Sequence, residues 1–147
     1  MAVDFHSLTL SDVRAEPGDA VVLSFAVPPT LADAFTFEAG QYLTLRARVD
    51  GQDVRRSYSI AGAPGKGLSV GVKRVTGGVF SEFAMGLRPG DTIDVMPPQG
   101  RFTRKGARDL LLIAAGSGVT PMVALASEAL DAGGTVTLIL GNRYASG

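Results

Sequence analysis

Residues 42–60 read Tyr42-Leu43-Thr44-Leu45-Arg46-Ala47-Arg48-Val49-Asp50-Gly51-Gln52-Asp53-Val54-Arg55-Arg56-Ser57-Tyr58-Ser59-Ile60. Leu43, Leu45, Ala47 and Val49 fall on one face of an extended chain, and Thr44, Arg46 and Arg48 on the other. This period of two marks a half-buried strand. Asp50-Gly51 suits a tight hairpin turn because both residue types tolerate positive φ. Val54 to Ile60 is then the return strand. On it Arg56 and Tyr58 lie two apart and share a face. A guanidinium can grip a phosphate through two donors, a tyrosine ring can lie against a flat heterocycle, and Ser59 adds a hydroxyl. An ordinary edge strand with a surface arginine and a core tyrosine would carry the same residues. On these alone both readings stay open.

Outward from this hairpin the chain continues as strands and turns. Phe5 to Leu10, Asp19 to Val27, Leu68 to Val75 and Thr92 to Met96 are strand candidates, the second closed by Pro28-Pro29 and the last introduced by Arg88-Pro89-Gly90-Asp91. One helix interrupts them: Val79 to Leu87 spaces Phe80, Phe83, Ala84 and Leu87 for a buried stripe. Short strands, Gly/Pro turns and one small helix predict a closed antiparallel barrel. The helix is preceded by Thr76-Gly77-Gly78. Glycines let an anion approach the main chain, and free N–H groups at a helix start favour it. A purely conformational glycine turn is the competing reading.

The pattern changes after residue 100. Arg101 to Asp109 is charged and predicts a linker. Leu110 to Ala115 is continuously apolar, as in a strand buried on both faces. Gly116-Ser117-Gly118 breaks it, Thr120 is placed as a helix N-cap and Pro121 as the first helical residue. Met122, Leu125, Ala126, Ala129 and Leu130 form the expected stripe, and Gly133-Gly134 ends the helix. Thr135 to Leu140 is a second buried strand, which completes a parallel βαβ unit. Gly116 to Pro121 follows the logic of a dinucleotide turn, although a third glycine is missing. Gly141-Asn142-Arg143, after the second strand, faces the same crevice, where Arg143 could meet a phosphate. A tight turn needing glycine for geometry only and a solvated loop arginine are the competing readings of these segments. Two strands cannot cover their own sheet, so the expectation is a fragment of a larger fold.

Composition narrows the chemistry. The chain has 147 residues, 46% hydrophobic and 19% charged, with fourteen Lys plus Arg against fourteen Asp plus Glu. That balance predicts a globular protein without a nucleic-acid face. Without cysteine there is no disulfide, thiolate or iron–sulfur ligation by this chain. His6 is the only histidine, which leaves no metal site in prospect. The N-terminus lacks the basic start and apolar core of a signal peptide, and no apolar run is long enough for a membrane span. A cytoplasmic protein with no membrane partner is expected.

These segments, in this order, resemble the ferredoxin–NADP⁺ reductase-like flavoprotein superfamily. Arg56-Ser57-Tyr58-Ser59 resembles its RxYS flavin motif, Gly78-Val79-Phe80-Ser81 its flavin-phosphate loop, and Gly40-Gln41-Tyr42 its GQ-aromatic segment. Pro98-Gln99-Gly100-Arg101-Phe102 resembles the end of its barrel. Ala114 to Pro121 and Gly141-Asn142-Arg143 are similar to the nicotinamide loop and the following G-N-R, closest to the phenylacetate-degradation and oxygenase-reductase branch. The resemblance implies an antiparallel six-stranded Greek-key β-barrel over residues 1–105. The first βαβ unit of a parallel α/β nicotinamide-binding domain would follow over residues 106–147, truncated at its C-terminus.

The same resemblance implies FAD and NAD(P)H as cofactors, and electron flow to a ferredoxin-like or oxygenase acceptor, in cis or in trans. Arg56 and the Gly78–Ser81 backbone would hold FAD phosphates. Tyr58 would pack on the isoalloxazine and Ser59 would hydrogen-bond near N5, as the two catalytic positions. Tyr42, Ser57, Val72 and Lys73 would border the flavin. Gly116, Ser117, Gly118, Thr120, Pro121, Asn142 and Arg143 would seat the nicotinamide cofactor. A flavin-binding electron-transfer subunit without its own complete nicotinamide site, and a plain barrel used for protein contact, are the alternatives.

Overall fold

A computed structural model describes residues 4–115 and 119–141. Six strands close into a barrel: β1 (His6–Glu16), β2 (Ala20–Ala26), β3 (Tyr42–Val49), β4 (Gln52–Ala61), β5 (Leu68–Lys73) and β6 (Thr92–Val95). Their order is β1-β2-β5-β4-β3-β6, and every pairing is antiparallel. Strands β3, β4 and β5 follow one another as neighbours and β6 returns beside β3, which is a Greek key. The interior is apolar, with Leu8, Leu10, Leu23, Leu43, Leu45, Ile60, Val70, Val72 and Val95 almost fully buried.

The hairpin that decided the reading forms as expected. Val49 pairs with Gln52, and Asp50 and Gly51 both have positive φ, at 50° and 78°. Two positive-φ residues give the turn whose twist suits a two-residue hairpin. Strand β1 is longer than its apolar pattern suggested. A register shift between Leu10 and Asp12 starts a mostly exposed extension that pairs with β2 to Glu16. Of this ribbon only Val13 packs partly against the core, so alternation gave little sign of it. Helix α1 (Val79–Ala84) is shorter than predicted, and its end tightens through Gly86 and Leu87 N–H bonds to Phe83 and Ala84 carbonyls.

Beyond the barrel, β7 (Leu110–Ala115) and β8 (Val136–Gly141) pair in parallel across α2 (Val119–Asp131). Three expectations need correction here. Thr120 is already inside α2 rather than its N-cap, so Pro121 is the third helical residue, still within the turn where a missing N–H costs little. Leu130 is 57% exposed while Ala124 is fully buried. The helix packs on both β7 and the barrel, and this dual contact rotates its buried stripe. Finally, neither strand is buried on both faces: in β7 Leu112 and Ala114 are covered but Leu111 and Ile113 are 64% and 65% exposed, and β8, expected as a second buried strand, is exposed apart from the half-buried Val136. Helix α2 covers one side of the sheet, and among the described residues nothing packs on the other. Gly133 and Gly134 do end α2, with N–H bonds to the Leu130 and Ala129 carbonyls in a Schellman arrangement.

The two parts touch closely. Ala39, Leu112, Ala124 and Leu125 share a small buried cluster. The Ala39 N–H donates to Glu128 Oε2 of α2 at 3.0 Å, and Arg104 pairs with the same carboxylate.

Candidate functional site

The site grows from an irregularity in the barrel. Strand β4 pairs with β3 from Gln52 to Ser59. With β5 it pairs only at Ile60 and Ala61. Over Asp53–Ser59, therefore, the β5-side edge of β4 has no strand partner among the described residues. Helix α1 packs at this opening and touches β3, β4 and β5. An open edge leaves main-chain donors and acceptors unused inside a fold that otherwise pairs them.

Arg56 and Tyr58 share the face opposite Leu45 and Leu43. That face turns into the barrel elsewhere, and Val54 and Ile60 on it are buried. At the opening it gives onto solvent instead. Tyr58 is half-buried and its ring lies 5.8 Å from that of Phe80 on α1. Burial pushes its phenol pKa up, partly offset by the neighbouring Arg56 charge. Arg56 is exposed, donates to the Arg55 carbonyl at 2.6 Å, and has no carboxylate partner among the described residues. A cation left without a partner beside an aromatic ring can take an anionic ligand.

The glycine loop before α1 has a built shape. The Val75 N–H donates to Ser81 Oγ at 3.0 Å, and Ser81 Oγ lies 3.2 Å from the Val75 carbonyl. The Ser81 hydroxyl thus closes its own loop and offers a ligand only its backbone. Gly77 has φ 78°, and a Cβ on Gly78 would meet Ser81 Oγ at 2.7 Å and the Val75 carbonyl oxygen at 3.0 Å. One glycine is needed for conformation and the other for space. The N–H groups of Val79, Phe80 and Ser81 have no backbone acceptor among the described residues. Glu82 in the same turn would repel an anion, but Arg74 holds its carboxylate at 3.0 Å.

Ser57, Ser59 and Tyr42 lie on the opposite, outer face. Ser57 shares a hydrogen bond with Thr44 at 2.9 Å, and Ser59 stands across from Tyr42. The expected residues therefore flank the free edge of β4 from both sides rather than lining one wall. Lys73 is exposed, whereas the Val72 side chain is fully buried opposite Val21, so Val72 can border a ligand only through its backbone. Thr120 and Pro121 are half-buried in the first turn of α2. Gly116, Ser117, Gly118, Asn142 and Arg143 lie outside the described residues.

Gln41, absent from the expected set, organises the approach to Tyr42. Its Oε1 accepts the Glu38 N–H at 2.8 Å, its Nε2 donates to the Gly100 carbonyl at 3.2 Å, and its own carbonyl accepts the Ile60 N–H at 2.9 Å. Its place in Gly40-Gln41-Tyr42 was the available signal. Together, the unpartnered Arg56, the half-buried Tyr58, the open strand edge and the tight glycine loop fit FAD. They provide a cation and free N–H groups for a diphosphate and an aromatic wall for a flat ring.

Comparison with known proteins agrees with this geometry. Residues 7–104 match the family described as "Oxidoreductase FAD-binding domain". The chain is 47% identical over 150 aligned positions to a subunit of the 1,2-phenylacetyl-CoA epoxidase of Escherichia coli K12, covering 95% of this chain and 41% of that protein. It is 41% identical over 142 positions to the ferredoxin reductase component of 3-ketosteroid-9-alpha-monooxygenase from Rhodococcus rhodochrous, covering 92% and 40%. Phthalate dioxygenase reductase superposes with a TM-score of 0.78 at 26% identity, covering 95% of this chain and 44% of that one. A ferredoxin NADP⁺ reductase from Neisseria gonorrhoeae with bound FAD and NADP shares the fold, with a TM-score of 0.79 at 20% identity over 95% and 58% of the two chains. The chain spans about two-fifths of the length of the two sequence relatives. Among the described residues no helix is long and apolar enough to cross a membrane.

Proposed function

The chain belongs to the oxidoreductase FAD-binding domain family, and from that membership we propose that it is the flavin-binding part of an NAD(P)H-dependent flavoprotein reductase. Residues 1–105 form the FAD-binding unit and residues 106–147 begin a nicotinamide-binding unit. The observation that carries this reading is the placement of Arg56 and Tyr58 on one face at the open edge of β4, with Tyr58 against Phe80 of the helix that the Gly77-Gly78 loop leads into.

Each residue then has a defined task. Arg56 and the N–H groups of Val79, Phe80 and Ser81 hold the diphosphate. Tyr58 gives the ring system a wall, its ring held against Phe80. Ser59 presents a hydroxyl at the strand edge, where it can hydrogen-bond to the ring nitrogen that takes up hydride, and Tyr42 lies across from it. The first turn of α2, with Thr120 and Pro121, takes the nicotinamide cofactor. When bound, FAD supplies hydride acceptance from a reduced nicotinamide and release of single electrons. The acceptor is an iron–sulfur centre or an oxygenase, in cis or in trans. This rests on the relatives, which are named as parts of an epoxidase and of a monooxygenase.

The test is direct. Protein purified with FAD should be yellow, and anaerobic NADH or NADPH should bleach it. Protein that takes up no FAD on titration would overturn the proposal. The uncovered Leu111 and Ile113 face supports a second reading. In it, the chain binds flavin but needs a further layer to complete its nicotinamide site, and flavin then binds without bleaching.

A further inference from the structure

The carboxylate of Glu128 gathers three separate segments. It belongs to the third turn of α2. Its Oε2 accepts the Ala39 N–H at 3.0 Å, from the turn that leads into β3. Its Oε1 accepts Arg104 Nε, from the segment joining β6 to β7. Arg104 in turn donates from Nη1 to the Ala107 carbonyl at 2.7 Å. The side chains of Arg104 and Glu128 are only 19% and 18% exposed, so solvent screens this pair weakly and losing one partner leaves a poorly hydrated charge. A second ion pair of α2, Asp131 with Lys66 of the β4–β5 loop, is 56% and 64% exposed. Such a pair holds little.

The anchor point matters because of what it adjoins. Ala39 is 1% exposed, and Leu125 of α2 packs beside Gly40. Gln41 and Tyr42 follow immediately, and Tyr42 stands opposite Ser59 at the proposed flavin edge. A short, hydrogen-bonded path therefore runs from α2 to the reacting end of β4. The other end of the same helix carries Thr120 and Pro121.

We propose that Glu128 is a positioning residue, whose carboxylate latches α2 and the linker to the Ala39 turn and thereby sets the nicotinamide-binding helix relative to the flavin strand. This rests on the reading of the chain as a nicotinamide-dependent flavoprotein. Hydride transfer needs its carbon donor and nitrogen acceptor at near-attack distance, so a small displacement of α2 slows the step without weakening flavin binding.

Two measurements on the full chain test it. The chain has no cysteine, so Ser7→Cys and Leu130→Cys give unique spin-label sites, both exposed. In the FAD-loaded protein one narrow distance distribution is expected. Glu128→Ala should broaden it, and Glu128→Gln, which keeps an oxygen for the Ala39 N–H, should broaden it less. In anaerobic mixing with NADH or NADPH, Glu128→Ala should lower the limiting rate of flavin bleaching about tenfold or more, since misplacing reacting groups by an ångström can cost that much. It should also weaken the long-wavelength nicotinamide–flavin charge-transfer band, with FAD affinity within about twofold of wild type and partial recovery in Glu128→Gln. An unchanged distance distribution, or bleaching at the wild-type rate, overturns the latch. If the distribution broadens while wild-type flavin is not bleached at all, the latch stands as a positional device and the reading in which this chain completes its own nicotinamide site falls.

Discussion

Gly40 lies directly beneath the main chain of Phe102: a Cβ at Gly40 would come within 1.7 Å of the Phe102 carbonyl oxygen. The contact joins the segment before β3 to the end of the barrel. A second contact repeats the arrangement, because a Cβ on Gly100 would meet the Tyr42 ring at 3.1 Å. Each of the two segments thus has a glycine pressed against the other.

Gly40→Ala should destabilise the fold by roughly 2–5 kcal/mol, because it combines a strained positive φ with an overpacked contact to backbone. Gly18 also has positive φ but open space around it, so Gly18→Ala should cost only about 1–2 kcal/mol. Urea unfolding of the two FAD-free variants checks the difference. Equal losses would mean that conformation alone, and not the Phe102 contact, selects glycine at position 40.

Arg56→Ala should weaken FAD binding by about 1.5–3 kcal/mol, the worth of a hydrogen bond to a charged group. The apoprotein melting temperature should stay unchanged, since the side chain is exposed and makes no ion pair among the described residues. Flavin fluorescence titration reads the affinity. Arg56→Lys should recover only part of it, because an ammonium lacks the guanidinium's two-pronged geometry. An affinity like the wild type's would remove Arg56 from the site.

Ser81→Ala removes the hydroxyl that ties both main-chain groups of Val75. A loss of about 1–3 kcal/mol is expected if the Val75 N–H is left without a partner. Hydrogen exchange should quicken at that amide, and FAD affinity should fall although the hydroxyl touches no ligand. Retained affinity with a destabilised loop would show that the loop's shape does not govern phosphate binding.

The raised pKa of Tyr58 makes stability fall with pH on the alkaline side. Its folded-state value lies above its unfolded value. The contribution is therefore fully present below the unfolded pKa, near 10 for a free phenol, and is lost as pH rises through the folded one. Tyr58→Phe should flatten that part of the pH–stability curve and remove a component of the tyrosinate absorbance that titrates above the free phenol. A curve of the same slope in both proteins would contradict the burial seen against Phe80.

Local pattern made much of this legible. The alternation from Tyr42 to Val49, the Asp50-Gly51 turn and the apolar runs after residue 109 correctly located the hairpin and the βαβ unit, because side-chain period and turn chemistry act over a few residues. The same alternation put Arg56 and Tyr58 on one face. It could not show that this face opens at the one stretch where β4 leaves β5, nor that Ser81 commits its hydroxyl to its own loop. It also missed Gln41, Arg104 and Glu128, whose partners lie up to 89 residues away.

By itself, then, the sequence determined which segments extend, turn or coil, and which residue types could meet a phosphate and a flat ring. These follow from backbone sterics and from the periods of strand and helix. Tertiary structure alone decided that, among the described residues, β4 has a free edge, the expected residues straddle it, and the Leu111 and Ile113 face of β7 is left uncovered while α2 docks on the Ala39 turn. Pairing edges and burial depend on what the rest of the chain brings alongside, and no local periodicity records that.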